Sequence, residues 1–181
     1  MKKMILWLGV MACLASVSDA HAAWVDISKG LNETDLKAVA VDPKDSKVIL
    51  AASQRRLYLS KDGGVSWKQS FGVRGNSDQI RYLYFDPLDT QNIYAATDRG
   101  LRRSKDGGKH WELFFEGIGE GSKKVFCVAG RAQMAGEIWM GTEQGVVVAD
   151  PHTGIFHRST GSRKRRSILF YLMRLTAQRF G

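Results

Sequence analysis

Ser60-Lys61-Asp62-Gly63-Gly64-Val65-Ser66-Trp67 and Ser104-Lys105-Asp106-Gly107-Gly108-Lys109-His110-Trp111 lie 44 residues apart and agree at six of their eight positions. Each reads as a tight corner between two strands. A short Asp side chain accepts hydrogen bonds from backbone N–H groups just ahead of it. The Gly pair tolerates the positive φ that a tight hairpin needs. The Ser hydroxyl ties the other arm, and the Trp lays its large apolar face under the turn. Ser60, Asp62, Gly64 and Trp67, with Ser104, Asp106, Gly108 and Trp111, are therefore read as structural residues.

Working outward from these corners, the echo continues on both sides. At a shift of 44, Asp42-Pro43 falls on Asp86-Pro87, Ile49 on Ile93, Ala51-Ala52 on Ala95-Ala96, Arg55 on Arg99 and Leu57 on Leu101. Residues 39–67 and 83–111 share 14 identities in 29 positions without a gap. A worn third copy follows at a shift of 45, with Ile138-Trp139, Thr142, Gly145 and the turn Ala149-Asp150-Pro151-His152-Thr153-Gly154, and with Phe156 where Trp111 stood. A fragment precedes the first copy: Trp24-Val25-Asp26-Ile27 with Gly30-Leu31 matches Trp67 through Val73. Self-similarity at such a period signals a repeat architecture.

Within a unit the pattern is all-β. Strands are expected over Ala38–Val41, Lys47–Ser53, Leu57–Ser60 and Trp67–Phe71, with Asp42-Pro43 ending the first and Arg55-Arg56 forming a turn. Four short strands per unit match one blade of a β-propeller. A helical solenoid would need apolar residues at i, i+3 and i+4, which the unit lacks. The expected fold is an incomplete β-propeller of about three blades, near 32–73, 76–118 and 123–161.

The corners and their flanks resemble the Asp-box (BNR) repeat family. Its blades occur in sialidases, in the sortilin luminal domain, in xyloglucan-type glycoside hydrolases and in photosystem II assembly factors. The resemblance covers residues 24–160 and bears on fold. It implies that the box lies on blade hairpins away from the ligand face, so Asp62 and Asp106 are structural and not catalytic.

The 181 residues are 44% hydrophobic and 25% charged, which suits one folded domain. The net charge of +9 is unevenly placed: residues 1–22 carry +1 and residues 161–181 carry +6, leaving the body +2. A nucleic-acid reader carries its basic residues on the folded surface, so no nucleic-acid partner is expected. Lys2-Lys3, an apolar stretch over 4–17 and Ala20-His21-Ala22 read as a signal peptide cleaved after Ala22, giving a periplasmic or extracellular product. An uncleaved anchor and lipidation at Cys13 are the alternatives. The segment 162–181 pairs Arg163-Lys164-Arg165-Arg166 with an apolar run and has no counterpart in the repeat. It is read as foreign to a truncated or frameshifted propeller, with a self-assembling half-ring and a basic membrane-contacting tail as alternatives.

No catalytic, cofactor or metal residue is assigned. Two Cys without a C-x-x-C pair exclude a Cys-based zinc site, and Cys127, within Val125-Phe126-Cys127-Val128, reads as a small buried hydrophobe. Glycoside hydrolysis needs two facing carboxylates; Asp35, Asp78, Glu116, Glu120 and Glu143 show no pairing by spacing. Arg55, Arg81, Arg99 and Tyr82 fit no sialidase motif, and Arg55 and Arg99 recur as turn residues. His110 sits inside a turn, and His152 and His157 flank a hairpin without forming a metal motif. The longest variable loops, 72–79 and 116–123, are where a binding surface is expected. Function is read as protein or glycan binding or assembly, with self-association through open edges. The alternatives are a sialidase- or xyloglucanase-like glycoside hydrolase and a photosystem II factor.

Overall fold

The computed structural model describes residues 25–33, 35–75, 78–117, 123–130 and 137–158. The leader, Trp24, Glu120 and the basic tail fall outside these residues. The described residues contain no helix and twelve strands in three four-stranded antiparallel sheets. The first sheet is β1 (Leu36–Val41), β2 (Ile49–Ser53), β3 (Arg56–Ser60) and β4 (Lys68–Gly72). The second is β5 (Ile80–Phe85), β6 (Ile93–Thr97), β7 (Gly100–Ser104) and β8 (Glu112–Phe115). The third is β9 (Val125–Gly130), β10 (Ile138–Thr142), β11 (Gly145–Asp150) and β12 (Ile155–Arg158). Each sheet follows chain order from edge to edge.

Composition explains which strands lie deepest. β2 and β6 read Ile-Leu-Ala-Ala-Ser and Ile-Tyr-Ala-Ala-Thr and are buried along their whole length. Their alternating side chains serve two faces, so a central strand between two packed faces carries no solvent-facing polar row. Leu50, Ala52 and Leu57 meet Ile80, Leu83, Phe85, Ile93 and Ala95 between the first and second sheets. Tyr94, Ala96, Leu101 and Phe115 meet Val125, Val128, Ile138, Met140, Val147 and Ala149 between the second and third. The second sheet is thus buried on both faces, and the edge strands β1, β5 and β9 gather side by side. The sheets fan outward from that shared edge.

The third unit keeps the packing although it has lost the corner sequence. Phe71 stacks on Trp111 at 5.4 Å between ring centres, and Phe115 stacks on Phe156 at 5.0 Å. The two contacts occupy equivalent repeat positions across successive interfaces.

Three details differ from the sequence expectations. Arg56 opens β3 and does not belong to the turn; the Ser53 hydroxyl accepts from both Arg55 N and Arg56 N, which closes the turn one residue earlier. Cys127 is exposed, not buried. A bulge lies in β9 between Val125 and Cys127, so Phe126 and Cys127 both face outward from an edge strand. Residues 25–33 contain no strand. They run past the first corner, and the Ile27 carbonyl accepts the Trp67 indole N–H at 2.7 Å.

Candidate functional site

Strand direction divides the molecule into two ends. One end carries the Ser-x-Asp-x-Gly corners and the turns after β1 and β5. The other carries the turns between β2 and β3, β6 and β7, and β10 and β11, together with the connections from β4 to β5 and from β8 to β9.

At the corner end, polar groups are consumed by structure. The Ser60 hydroxyl donates to Asp62 Oδ1 and accepts from Gly64 N, both at 2.8 Å. Asp62 Oδ1 accepts from Ser66 N at 2.9 Å, and Asp62 Oδ2 accepts from the Ser66 hydroxyl at 2.5 Å. The second corner repeats this: Ser104 bonds Asp106 and Gly108 N at 2.8 Å each, and Asp106 Oδ1 accepts from Lys109 N and His110 N. The Asp therefore reaches three and four residues ahead, further than the sequence suggested. Gly64 and Gly108 stand at φ of 91° and 86°. A Cβ on Gly64 would lie 2.8 Å from Ile27 Cδ1, so both backbone conformation and packing demand glycine there. Bonds from Ser66 hold the Asp62 carboxyl down at about 2, and the His110 N–H and ring hold Asp106 lower still. A cavity of about 230 Å³ beside the second corner is lined by Arg103, Lys105, Asp106, His110, Trp111 and Glu112. Its charges are paired with one another: Arg103 and Lys105 with Glu112, and His110 with Asp106.

The opposite end is built differently. Each inner edge strand carries a register shift at its second residue, which leaves Lys37, Arg81 and Phe126 as the extra residues. All three are exposed. Bulges re-aim side chains, and here the same position of three successive units is turned outward. Arg81 is fixed by Asp98, and its guanidinium lies over the Phe126 ring at 5.5 Å. Sequence reading treated Arg81 alone and missed this row, because a bulge leaves no mark in an apolar pattern.

At the same end, a cavity of about 240 Å³ opens between the first and second sheets, lined by Phe71, Gly72, Val73, Arg74, Asp78, Arg99 and Arg102. Backbone bonds from Val73 N to Arg55 O and from Ile80 N to Gln54 O strap the β4–β5 connection onto the neighbouring turn. This is the 72–79 loop on which a binding surface was expected.

The other candidate acids do not converge. Asp35 pairs with Lys37, Glu116 with Lys123 and Glu143 with Lys124. Burial pushes the Tyr94 hydroxyl up to about 12 and raises that of Tyr84, so neither is a ready nucleophile. Tyr82 is exposed on β5. Arg55 and Arg99 occupy matching turns, where Ser53 and Thr97 hydroxyls accept their backbone N–H groups. His152 lies in the turn before β12 and His157 on that strand. Among the described residues, no three His, Cys, Asp or Glu side chains form a metal-binding group.

No family model matches the chain, and no curated protein matches it. Solved structures do. The extracellular domain of the putative hybrid two-component system BT3049 from B. thetaiotaomicron aligns over 78% of this chain and 20% of its own, with a TM-score of 0.60 and 18% identity. The GH74 xyloglucanase from Xanthomonas campestris aligns over 71% and 24%, with a TM-score of 0.57 and 20% identity. YCF48 from Cyanidioschyzon merolae aligns over 69% and 37%, with a TM-score of 0.54 and 18% identity. The three sheets are β-propeller blades. The chain spans between a fifth and two fifths of the length of these three structures, and at such identities the likeness is one of fold. The propeller it forms is incomplete; among the described residues the outward face of the third sheet exposes Val146 and Ile155, whereas on the first sheet only β1 exposes Val39 and Val41, Ala51 and Tyr58 beside them being buried.

Proposed function

We propose that the chain is an exported Asp-box repeat propeller that serves as a binding or assembly module, with a protein as its partner and a glycan as the alternative. The observation that carries this reading is the contrast between the two ends. Acids and bases at the corner end are consumed by the turns and by one another, whereas the opposite end carries a row of outward-turned Lys37, Arg81 and Phe126, their charges held by Asp35 and Asp98, and at the same end a cavity. Rigid sheets holding exposed cationic and aromatic side chains suit recognition without chemistry. A structure of YCF48 bound to a D1 peptide, similar to this chain over 68% of its length with a TM-score of 0.55, supports protein binding by blades of this kind. In the same proposal the leader is removed after Ala22 and the mature chain acts outside the cytoplasm.

The second reading, a GH74-type glycoside hydrolase, is favoured by the xyloglucanase likeness alone. A photosystem II assembly role rests in the same way on YCF48. The deciding experiment exposes the secreted chain to peptide and glycan arrays and to chromogenic β-glucan and sialyl substrates. Retention of peptides, lost in Arg81→Gln, is the expected result. Turnover abolished by replacing a single Asp or Glu would overturn it.

A further inference from the structure

Asp78 is 2% exposed, and its Oδ1 has no hydrogen-bond partner. Arg102, with its guanidinium 5.9 Å from the Phe71 ring centre, likewise has a buried Nε without one. Both residues line the same cavity of about 240 Å³. Buried polar groups in folded proteins are nearly always matched, and a buried charge without a partner is costly. Asp78 Oδ1, on a nearly fully buried carboxylate, and the buried Nε of the half-buried Arg102, whose guanidinium also feels the Glu116 charge, face one space and together call for something that brings a donor to one and an acceptor oxygen to the other.

The repeat shows that the blade itself does not require this pair. The position of Arg102 is Tyr58 in the first unit and Val147 in the third, and the position of Asp78 is Lys123 in the third. Groups that build the blade recur, as Asp62 and Asp106 do. Asp78 and Arg102 occur together in the middle unit alone. The cavity is far larger than a single water needs.

We propose that this cavity binds a free α-amino acid, the ammonium group set on Asp78 and the carboxylate on Arg102. A zwitterion presents both charges one carbon apart and answers both unmatched groups in one step, which neither a simple anion nor a neutral sugar does. Arg74 and Arg99, both exposed at the rim, leave the site net positive and favour a second carboxylate on the ligand, so L-glutamate binds more tightly than L-alanine.

Titration of the secreted chain by calorimetry or NMR with L-glutamate, L-alanine, N-acetyl-L-alanine and L-alaninamide tests this. Saturable binding of the free amino acids is expected. Capping either end should weaken binding roughly tenfold or more, because each cap removes a charge-assisted bond. Asp78→Asn should weaken L-alanine while leaving N-acetyl-L-alanine unchanged. Arg102→Gln should weaken L-alanine while leaving L-alaninamide unchanged. Arg74→Gln, a surface change that spares folding, should reduce the preference for L-glutamate over L-alanine, Arg99 keeping part of it. Equal binding of free and capped forms, insensitivity to Asp78→Asn and Arg74→Gln, or no saturation up to about 10 mM would overturn the proposal and leave the two groups matched by water.

Discussion

Asp62 holds its corner as a carboxylate, so the corner itself titrates. Its folded pKa of about 2 lies below the ordinary 3.8. The depressed value means that the carboxylate form stabilises the fold above the ordinary pKa, and that this contribution is lost as pH falls from about 4 towards 2. Asp62→Asn should therefore lower the melting temperature at neutral pH, and the gap to wild type should close between about pH 5 and pH 2. A gap independent of pH would mean that packing, not charge, latches the turn. Gly100 offers a second residue-scale test. Its φ is 114°, and an added Cβ would stand 1.9 Å from the Phe115 carbonyl oxygen. Its repeat mate Gly145 has a φ of 104° and open space around it. Gly145→Ala should cost about 1–2 kcal/mol from backbone conformation. Gly100→Ala should add about 1–3 kcal/mol of overpacking, read by urea unfolding.

Strands divide into those buried on both faces and those with one face uncovered. Leu101, on β7 and fully buried, fills the interface between the second and third sheets. Leu101→Ala should cost about 2–5 kcal/mol. Val39, on β1 and 68% exposed, faces away from the second sheet. Val39→Ala should stay within about 0.5 kcal/mol. Near-equal costs would contradict the stacking order described above. Much of this level was legible in the sequence. Corner residues are short-range and chemically distinctive, so Asp62 and Trp67 announce a hairpin by residue type and spacing alone. Ile-x-Ala-Ala announces a central strand. Phe126 and Cys127 did not announce their exposure, since a bulge shifts one residue's direction without changing its type. Asp78 was visible as an acid in a long loop, but its sharing a cavity with Arg102 depends on two sheets meeting, which no local pattern encodes.

At the scale of the molecule, the two outermost sheets govern solution behaviour. Val39 and Val41 on one, and Val146 and Ile155 on the other, are exposed apolar residues on outward faces. Uncovered sheet faces and edges of this kind favour association. Sedimentation velocity of the purified chain should show mass increasing with concentration, and Val39→Lys with Val41→Thr should reduce it. A wild-type monomer at every concentration would show that these faces are covered from within the chain.

The ties between successive units span close to one repeat each: Trp67 to Ile27 in the segment before the first sheet, and Trp111 to Ser70, Lys44 to Leu88 and Arg103 to Pro151 between sheets. Within the described residues, none of these bonds reaches from the first sheet to the third. A chain assembled this way needs no distant segment before it begins to settle. Each sheet can seat itself as soon as its successor has been synthesised, so order in time follows order in sequence, and a stall between units leaves behind a smaller version of the same stack.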